Sequence, residues 1–297
     1  MPWYFYSFIS SLSFAGMILC VRRLQDLGFS SKQILLFLTG FSFFGFALLN
    51  LINPGILWGS SDVWKFIFVM LFAGAFAVCG NWADFEGIRR AKNPGYAVAI
   101  RNTTILPVVF LSVLFFNSSL GTAELFAVVL ILFGIYLLVF KRTSEEKHSI
   151  PEKGVHWYYF SLLALIAFTG LVLLLKRATL FPATSTKEIN LILFGFNIIA
   201  FLFFSRNNMR EYFANLRTEK AFLSWVLAAA GFSFLGNYVS ILALDAAPNA
   251  GYHEAIKNAN VLFVTLISIL LIPRTFEKYK IFGVCLVTIG ILVLVLY

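Results

Sequence analysis

The stretch Asn93–Asn102, NPGYAVAIRN, returns later in the chain as Asn249–Asn258, NAGYHEAIKN. Asn, Gly, Tyr, Ala, Ile and Asn recur in register, and a basic residue, Arg101 or Lys257, stands before the final Asn of each copy. Both copies lie inside long apolar runs, where a permanent cation is costly. The fold must therefore give two such cations, similarly placed, somewhere wet or paired to sit.

Composition identifies the apolar surroundings. The chain is 60% hydrophobic and only 12% charged, with a mean hydropathy of +0.86, whereas soluble globular chains are roughly half apolar and a quarter charged. This is an integral membrane protein in contact with a lipid bilayer. The net charge of +9 does not point to nucleic acid, because the basic residues fall between the apolar runs and form no soluble basic face. Cys20, Cys79 and Cys285 all lie within apolar runs and read as packing residues with no disulfide role.

Ten runs are long enough to cross a hydrocarbon core of about 30 Å as helices. They cover residues 3–21, 32–52, 63–88, 94–116, 121–140, 155–175, 187–205, 220–244, 249–272 and 277–297. The runs are too long and too unalternating for barrel strands, so the expected class is all-α integral membrane with ten transmembrane helices. The first run has no basic residue ahead of it and reads as a helix, not a signal peptide. The longest connections, Lys141–Gly154 and Arg206–Glu219, are polar and too short to bury a core. No G-x-x-x-x-G-K-[ST] phosphate cradle is present, so any driving force comes from gradients. The reading assigns no enzymatic activity, no cofactor and no metal.

The twin stretch belongs to a longer repeat. An offset of 156 pairs Gly80 with Gly236, Asn81 with Asn237, Phe126 with Phe282 and Gly134 with Gly290. Upstream, an offset of 154 or 155 pairs Trp3-Tyr4 with Trp157-Tyr158, Phe14 and Gly16 with Phe168 and Gly170, Arg22-Arg23 with Lys176-Arg177, and Lys32 with Lys187. Residues 1–148 and 149–297 are thus expected to be two five-helix repeats within one membrane domain. Because five is odd, the second copy enters from the opposite side. Inverted repeats of this kind are the architecture of alternating-access carriers, with the site near the midplane between the repeats.

Orientation follows from Lys and Arg. The connections after helices 1, 3, 5, 7 and 9 hold 17 of them, against 4 at the termini and in the other connections. The positive-inside rule makes the first set cytoplasmic and places both termini on the non-cytoplasmic side.

A ten-helix inverted duplication with short loops, a helix-4 start A-x-N-P-G-Y-A-x-A-I, and Gly134 in G-I-Y-L-L-V echoed by Gly290 in G-I-L-V-L-V together resemble the drug/metabolite transporter superfamily, EamA type. The resemblance covers essentially the whole chain and implies a small-molecule transporter of a bacterial or archaeal inner membrane. Its members include amino-acid exporters, nucleotide-sugar and phosphate-ester exchangers, and half-size multidrug pumps. The half-size pumps carry an essential carboxylate in helix 1, whereas Trp3–Val21 here contains no acid. Some anion carriers of the superfamily hold their substrates with basic residues on helices 4 and 9, positions comparable to Arg101 and Lys257.

At 1.5 Å per residue, Arg101 and Lys257 each lie about 10 Å below opposite faces and bracket the midplane. Helical spacing gathers His253, Glu254, Lys257 and Asn260 on one stripe, and the equivalent stripe of the first copy is Ala97, Val98, Arg101 and Thr104. Asn81 is level with Arg101, and Asp84 is one turn further along its helix. Ser7, Ser10 and Ser11 on helix 1, with Asn190 and Asn197 on helix 7, are expected to face inward. The candidate substrate-binding set is Arg101, Lys257, Glu254, His253, Asn81, Asn237, Asp84, Asn102, Asn258 and Ser10. Each cation has a second reading, as a structural pair with Asp84 or with Glu254. His253 is weighed for proton coupling, Glu86 as a surface partner of Arg89 and Arg90, and Tyr96 and Tyr252 for packing.

The function this supports is secondary transport of a small polar metabolite, an amino acid or related zwitterion, in the export direction. One alternative is exchange of a phosphorylated or nucleotide-linked anion, and another is a non-transporting scaffold or sensor. Coupling to protons or to a counter-substrate, and assembly as monomer or homodimer, remain open.

Overall fold

The computed structural model describes residues 1–52, 62–90, 94–139, 157–182, 184–271 and 278–296. Asn93, the side chain of Tyr96, the connection 141–154 and the boundary between residues 148 and 149 lie outside the description. The elements are α1 (Trp3–Asp26), α2 (Ser31–Ile52), α3 (Val63–Arg90), α4 (Pro94–Asn102), α5 (Ile105–Phe116), α6 (Thr122–Val139), α7 (Trp157–Thr179), α8 (Thr186–Ser205), α9 (Met209–Thr218), α10 (Lys220–Ala246), α11 (Ala250–Asn258), α12 (Asn260–Leu271) and α13 (Lys278–Leu296). No strand occurs among the described residues.

Ten apolar spans account for these helices, because α4 with α5, and α11 with α12, are the halves of spans four and nine. Each span breaks directly after the second Asn of the twin stretch. At the first break Thr103 N–H donates to the Ile100 carbonyl at 3.1 Å and Thr104 N–H to that of Arg101 at 3.0 Å. The Thr103 hydroxyl also donates to the Ile100 carbonyl. At the second, Ala259 N–H reaches the Ile256 carbonyl at 3.2 Å and Leu262 N–H that of Ala259 at 2.9 Å. These bonds to the third residue back tighten the helix locally, helped in the first copy by side-chain hydroxyls that compete for the backbone.

A second departure from the expected outline lies in 206–219, read from sequence as a polar connection. It folds as a short 3-10 turn, Arg206–Asn208, followed by α9. Met209, Tyr212, Phe213 and Leu216 follow helical spacing and make one apolar face. That face lies on the bundle, where Tyr212 is buried and accepts a hydrogen bond from the Ser30 hydroxyl at 3.2 Å. Phe213 meets Phe37 edge to face.

Helix packing is reciprocal between the two halves. α1 packs on α10 as α7 packs on α3; α2 on α10 matches α8 on α3, and α1 on α11 matches α7 on α4. α2–α8 and α6–α13 map onto themselves. Single side chains follow the same rule. Gly80 faces Phe168 and Gly236 faces Phe14, while Gly16 faces Phe232 and Gly170 faces Phe76. The glycines leave room for the rings, and small residues at crossings let helices approach closely.

The outer surface is apolar, with Phe44, Trp64, Phe68, Phe115, Phe126 and Phe203 exposed. Polar residues go inside instead. Ser7, Ser10, Ser11, Asn190 and Asn197 are all buried, as the inward-facing stripes required. This inversion of the soluble pattern suits a chain whose solvent is lipid.

Candidate functional site

A cavity of about 1380 Å³ lies within the bundle, with Asn197, one of the buried polar residues, on its wall. It opens at the end where α1 runs into α2 and where α3 finishes, with Gln25, Asp26, Lys32, Glu86 and Arg89 at its mouth. Glu86 is held there by Arg89 at 2.6 Å and Arg90 at 3.1 Å, the surface pairing expected of it.

The cavity wall brings together seven of the ten candidate residues: Asn81, Asp84, Arg101, Asn237, Glu254, Lys257 and Asn258. Both cations of the twin stretch therefore line one cavity, carried there by helices that enter from opposite ends of the bundle. Arg101 Nη1 donates to Asp84 Oδ2 at 2.8 Å, and Arg101 and Asp84 side chains are 14% and 13% exposed. Its Nε and Nη2 donate to Asn102 Oδ1 at 3.2 and 3.0 Å. On the second copy Lys257 pairs with Glu254 one turn earlier, and Asn258 Nδ2 donates to the other Glu254 oxygen at 3.5 Å. Each cation thus has its acid, and each acid lines the cavity with it.

Three candidates do not line the cavity. Asn102 sits behind Arg101 and orients the guanidinium. Ser10 donates to the Gly236 carbonyl at 3.1 Å and fastens α1 to α10. His253 is 0% exposed, with Nδ1 2.9 Å from the Ser7 hydroxyl and Nε2 2.8 Å from that of Ser240. It bridges α1 and α10 and contributes nothing to the cavity surface, because the stripe of Glu254, Lys257 and Asn260 turns past it.

The opposite end of the bundle is shut by a different set of bonds. Asn249, first residue of the second twin stretch, caps α11 by accepting from Gly251 N–H at 2.8 Å. Its Nδ2 donates to the Val109 and Ser119 carbonyls at 3.3 and 3.4 Å. The Tyr252 hydroxyl donates to the Ser119 carbonyl at 3.2 Å, so Tyr252 has the packing role read from sequence, with a polar tie added. Lys176 is buried and its ammonium donates to the Leu244, Asp245 and Ala247 carbonyls, at the C-terminal end of α10. A cation at that position satisfies carbonyls left open at a helix end.

Sequence reasoning missed Thr39, Ser233 and the interruption of the two spans as parts of the site. Asn197 and Asn260, placed from sequence on polar stripes but not in the candidate set, also line the cavity. The signals were present as Asn-Thr-Thr at 102–104 and Asn-Ala-Asn at 258–260, polar residues in mid-span with short side chains that bond to the backbone.

A ten-span, all-helical membrane protein with a largely apolar cavity that carries charged and amide groups, open at one end and closed at the other, has the form of a membrane transporter of small molecules. Residues 1–140, just under half of the chain, match the model of the EamA-like transporter family, in line with the resemblance carried by the helix-4 start and Gly134 of the first copy. A solved crystal structure of a protein is similar over 99% of this chain and 96% of its own, at 15% identity and a TM-score of 0.71, which fixes the shared fold. No curated protein matches the chain.

Proposed function

We propose that the chain is an alternating-access carrier, built as two inverted repeats, that exports an amino acid or related zwitterion from the cytoplasm. The carrying observation is the cavity itself: one space, open at one end, in which a paired cation and acid stand on each half. A ligand bearing both charges can dock beside these balanced pairs without leaving a net charge in the cavity. A multiply phosphorylated anion would instead call for cations without acids beside them.

The reciprocal packing of the main helix pairs supports two repeats related by inversion, and the exceptions, α5 on α11 and α7 on α10 without matching α12–α4 and α1–α3 packing, fall where one end is closed and the other open. Polarity is supported by the mouth, where Arg22, Lys32 and Arg89 accompany the opening. By the positive-inside rule that end faces the cytoplasm, so the cavity is inward-facing.

The test is counterflow in reconstituted vesicles, with amino acids compared against phosphorylated metabolites. Arg101→Ala is expected to abolish exchange while leaving insertion intact. Undiminished exchange would remove Arg101 from the site, and flux of no solute would favour a scaffold.

A further inference from the structure

The cavity wall contains a cluster of hydrogen-bond acceptors that the paired charges do not use. Asn197 on α8 donates its Nδ2 to the Leu193 carbonyl at 2.7 Å. Asn237 on α10 does the same to the Ser233 carbonyl at 2.8 Å. Because an amide nitrogen, and not an oxygen, must face a carbonyl, these bonds settle the orientation of both side chains. Their Oδ1 atoms are the ends left for other donors. Asn260, at the start of α12, adds a third amide to the same wall.

Two of these oxygens have no partner. Asn197 is 3% exposed and Asn260 5%, and neither Oδ1 receives a hydrogen bond; both atoms are covered in this conformation, so a donor reaches them by a small turn of the side chains behind the wall. A buried acceptor left unsatisfied is costly, so such atoms in a ligand cavity point to a ligand that donates. Their depth agrees. Counting from the sealed ends of α8, α10 and α11, Asn197, Asn237 and Asn260 all lie about 14–17 Å in, at 1.5 Å per residue. Three amides from three helices thus lie at similar depths along their spans.

Glu254, one of the acids on the cavity wall, is an obvious partner for an ammonium. In the structure it is engaged by Lys257 and Asn258, so the donor-seeking surface is the asparagine set. The first repeat keeps only Asn81, the counterpart of Asn237. The counterpart of Asn260 is Thr104, whose hydroxyl donates to the Arg101 carbonyl, and that of Asn197 is Ser42, which donates to the Ala230 carbonyl at 3.4 Å.

We infer that Asn197, Asn237 and Asn260 form the subsite for a protonated amine, which donates its N–H groups to their Oδ1 atoms. The inference rests on the zwitterion reading above and adds where its positive end binds. Neutral amide oxygens suit this task in a carrier, since they hold an ammonium by hydrogen bonds and leave no fixed charge when it departs.

The test is a thermal-shift assay on the full chain in detergent, with matched triplets built on alanine, leucine and phenylalanine. Each triplet contains the amino acid, its decarboxylated amine and its deaminated acid. For at least one triplet the wild type is expected to bind the amino acid and the amine, and the deaminated acid at least tenfold more weakly. Asn197→Ala and Asn260→Ala should each weaken the amine-bearing members about tenfold and leave the deaminated acid unchanged. Asn260→Asp keeps the side-chain size and adds a charge, so it should tighten the decarboxylated amine and guards against a merely misfolded alanine variant.

Equal losses for amine and acid, or an unchanged preference for the amine in all three variants, would overturn the subsite. If counterflow of the amino acid persists in wild type and fails in Arg101→Ala at the same time, the transport reading stands without it. Binding of no triplet member would overturn both.

Discussion

The Lys176 ammonium stands 2.7 Å from the Leu244 carbonyl oxygen and binds two further carbonyls at the same helix end, Asp245 and Ala247. One buried cation therefore ties α7 to the end of α10 on the sealed side. Its repeat counterpart, Arg22, lines the mouth on the open side, near the matching end of α3.

Lys176→Met should loosen the sealed end. Three buried carbonyls would lose their shared donor, a cost of about 1–3 kcal/mol for groups of this kind. In a background with the three native cysteines changed to serine, a cysteine at Ser10 reports the change. Ser10 is buried, so labelling by an impermeant thiol reagent from the sealed side is expected to rise in the Lys176 variant. Unchanged labelling together with unchanged melting would mean the ammonium does not hold that end.

Asp84→Asn should convert a balanced site into a cationic one. Arg101 would keep Asn102 but lose the carboxylate at 2.8 Å. Because both partners face the cavity and keep some exposure, the fold should weaken by less than the roughly 3–5 kcal/mol of a dry buried pair. Binding of amine-free carboxylic acids is expected to tighten about tenfold, with slower release and slower counterflow. Equal affinity in wild type and variant would show that the Arg101 charge is not felt by the ligand.

Much of this was legible in the chain because membranes constrain it so strongly. Ten apolar runs could only be helices, and the twin stretch with its offset glycines pointed to paired packing, which Gly80–Phe168 and Gly236–Phe14 display. The Lys257–Glu254 pair, one of two readings kept for that cation, follows from i,i+3 spacing, whereas Arg101–Asp84 joins two helices and was suggested by their similar depth. What spacing could not give was rotation about a broken helix: the tightening at Ala259 lets Glu254, Lys257 and Asn260 face the cavity while His253 turns to Ser7 and Ser240. Nor could hydropathy separate α9 from a loop, since its apolar face is only four residues wide. Lys176 looked like a loop cation because sequence does not reveal which carbonyls a long side chain reaches.

His253 should prove structural in function. Each ring nitrogen is met by a hydroxyl, Ser7 on α1 and Ser240 on α10, and the residue is fully buried outside the cavity wall. His253→Leu leaves two buried hydroxyls without that partner and should destabilise by about 1–3 kcal/mol. The pH profile of counterflow per folded molecule is expected to match wild type. A displaced profile would return His253 to proton coupling.

Gly134 and Gly290 give the last prediction, on the α6–α13 pair. A Cβ at Gly134 would stand 2.8 Å from the Gly283 carbonyl oxygen, and one at Gly290 2.8 Å from that of Ala127. Neither carbonyl can move without disturbing its own helix, so Gly134→Val or Gly290→Val must push the two helices apart. Overpacking of this kind costs typically 1–3 kcal/mol. The two sites load the same crossing from opposite helices, so separation forced by one substitution relieves the other, and the double variant should lose less stability than the sum of the singles. No α6 or α13 residue is among those lining the cavity, so the apparent KM for counterflow should remain that of wild type even as the folded yield falls. A changed KM would mean that the α6–α13 crossing moves with the site, whereas additive losses would mean that each glycine relieves a separate contact.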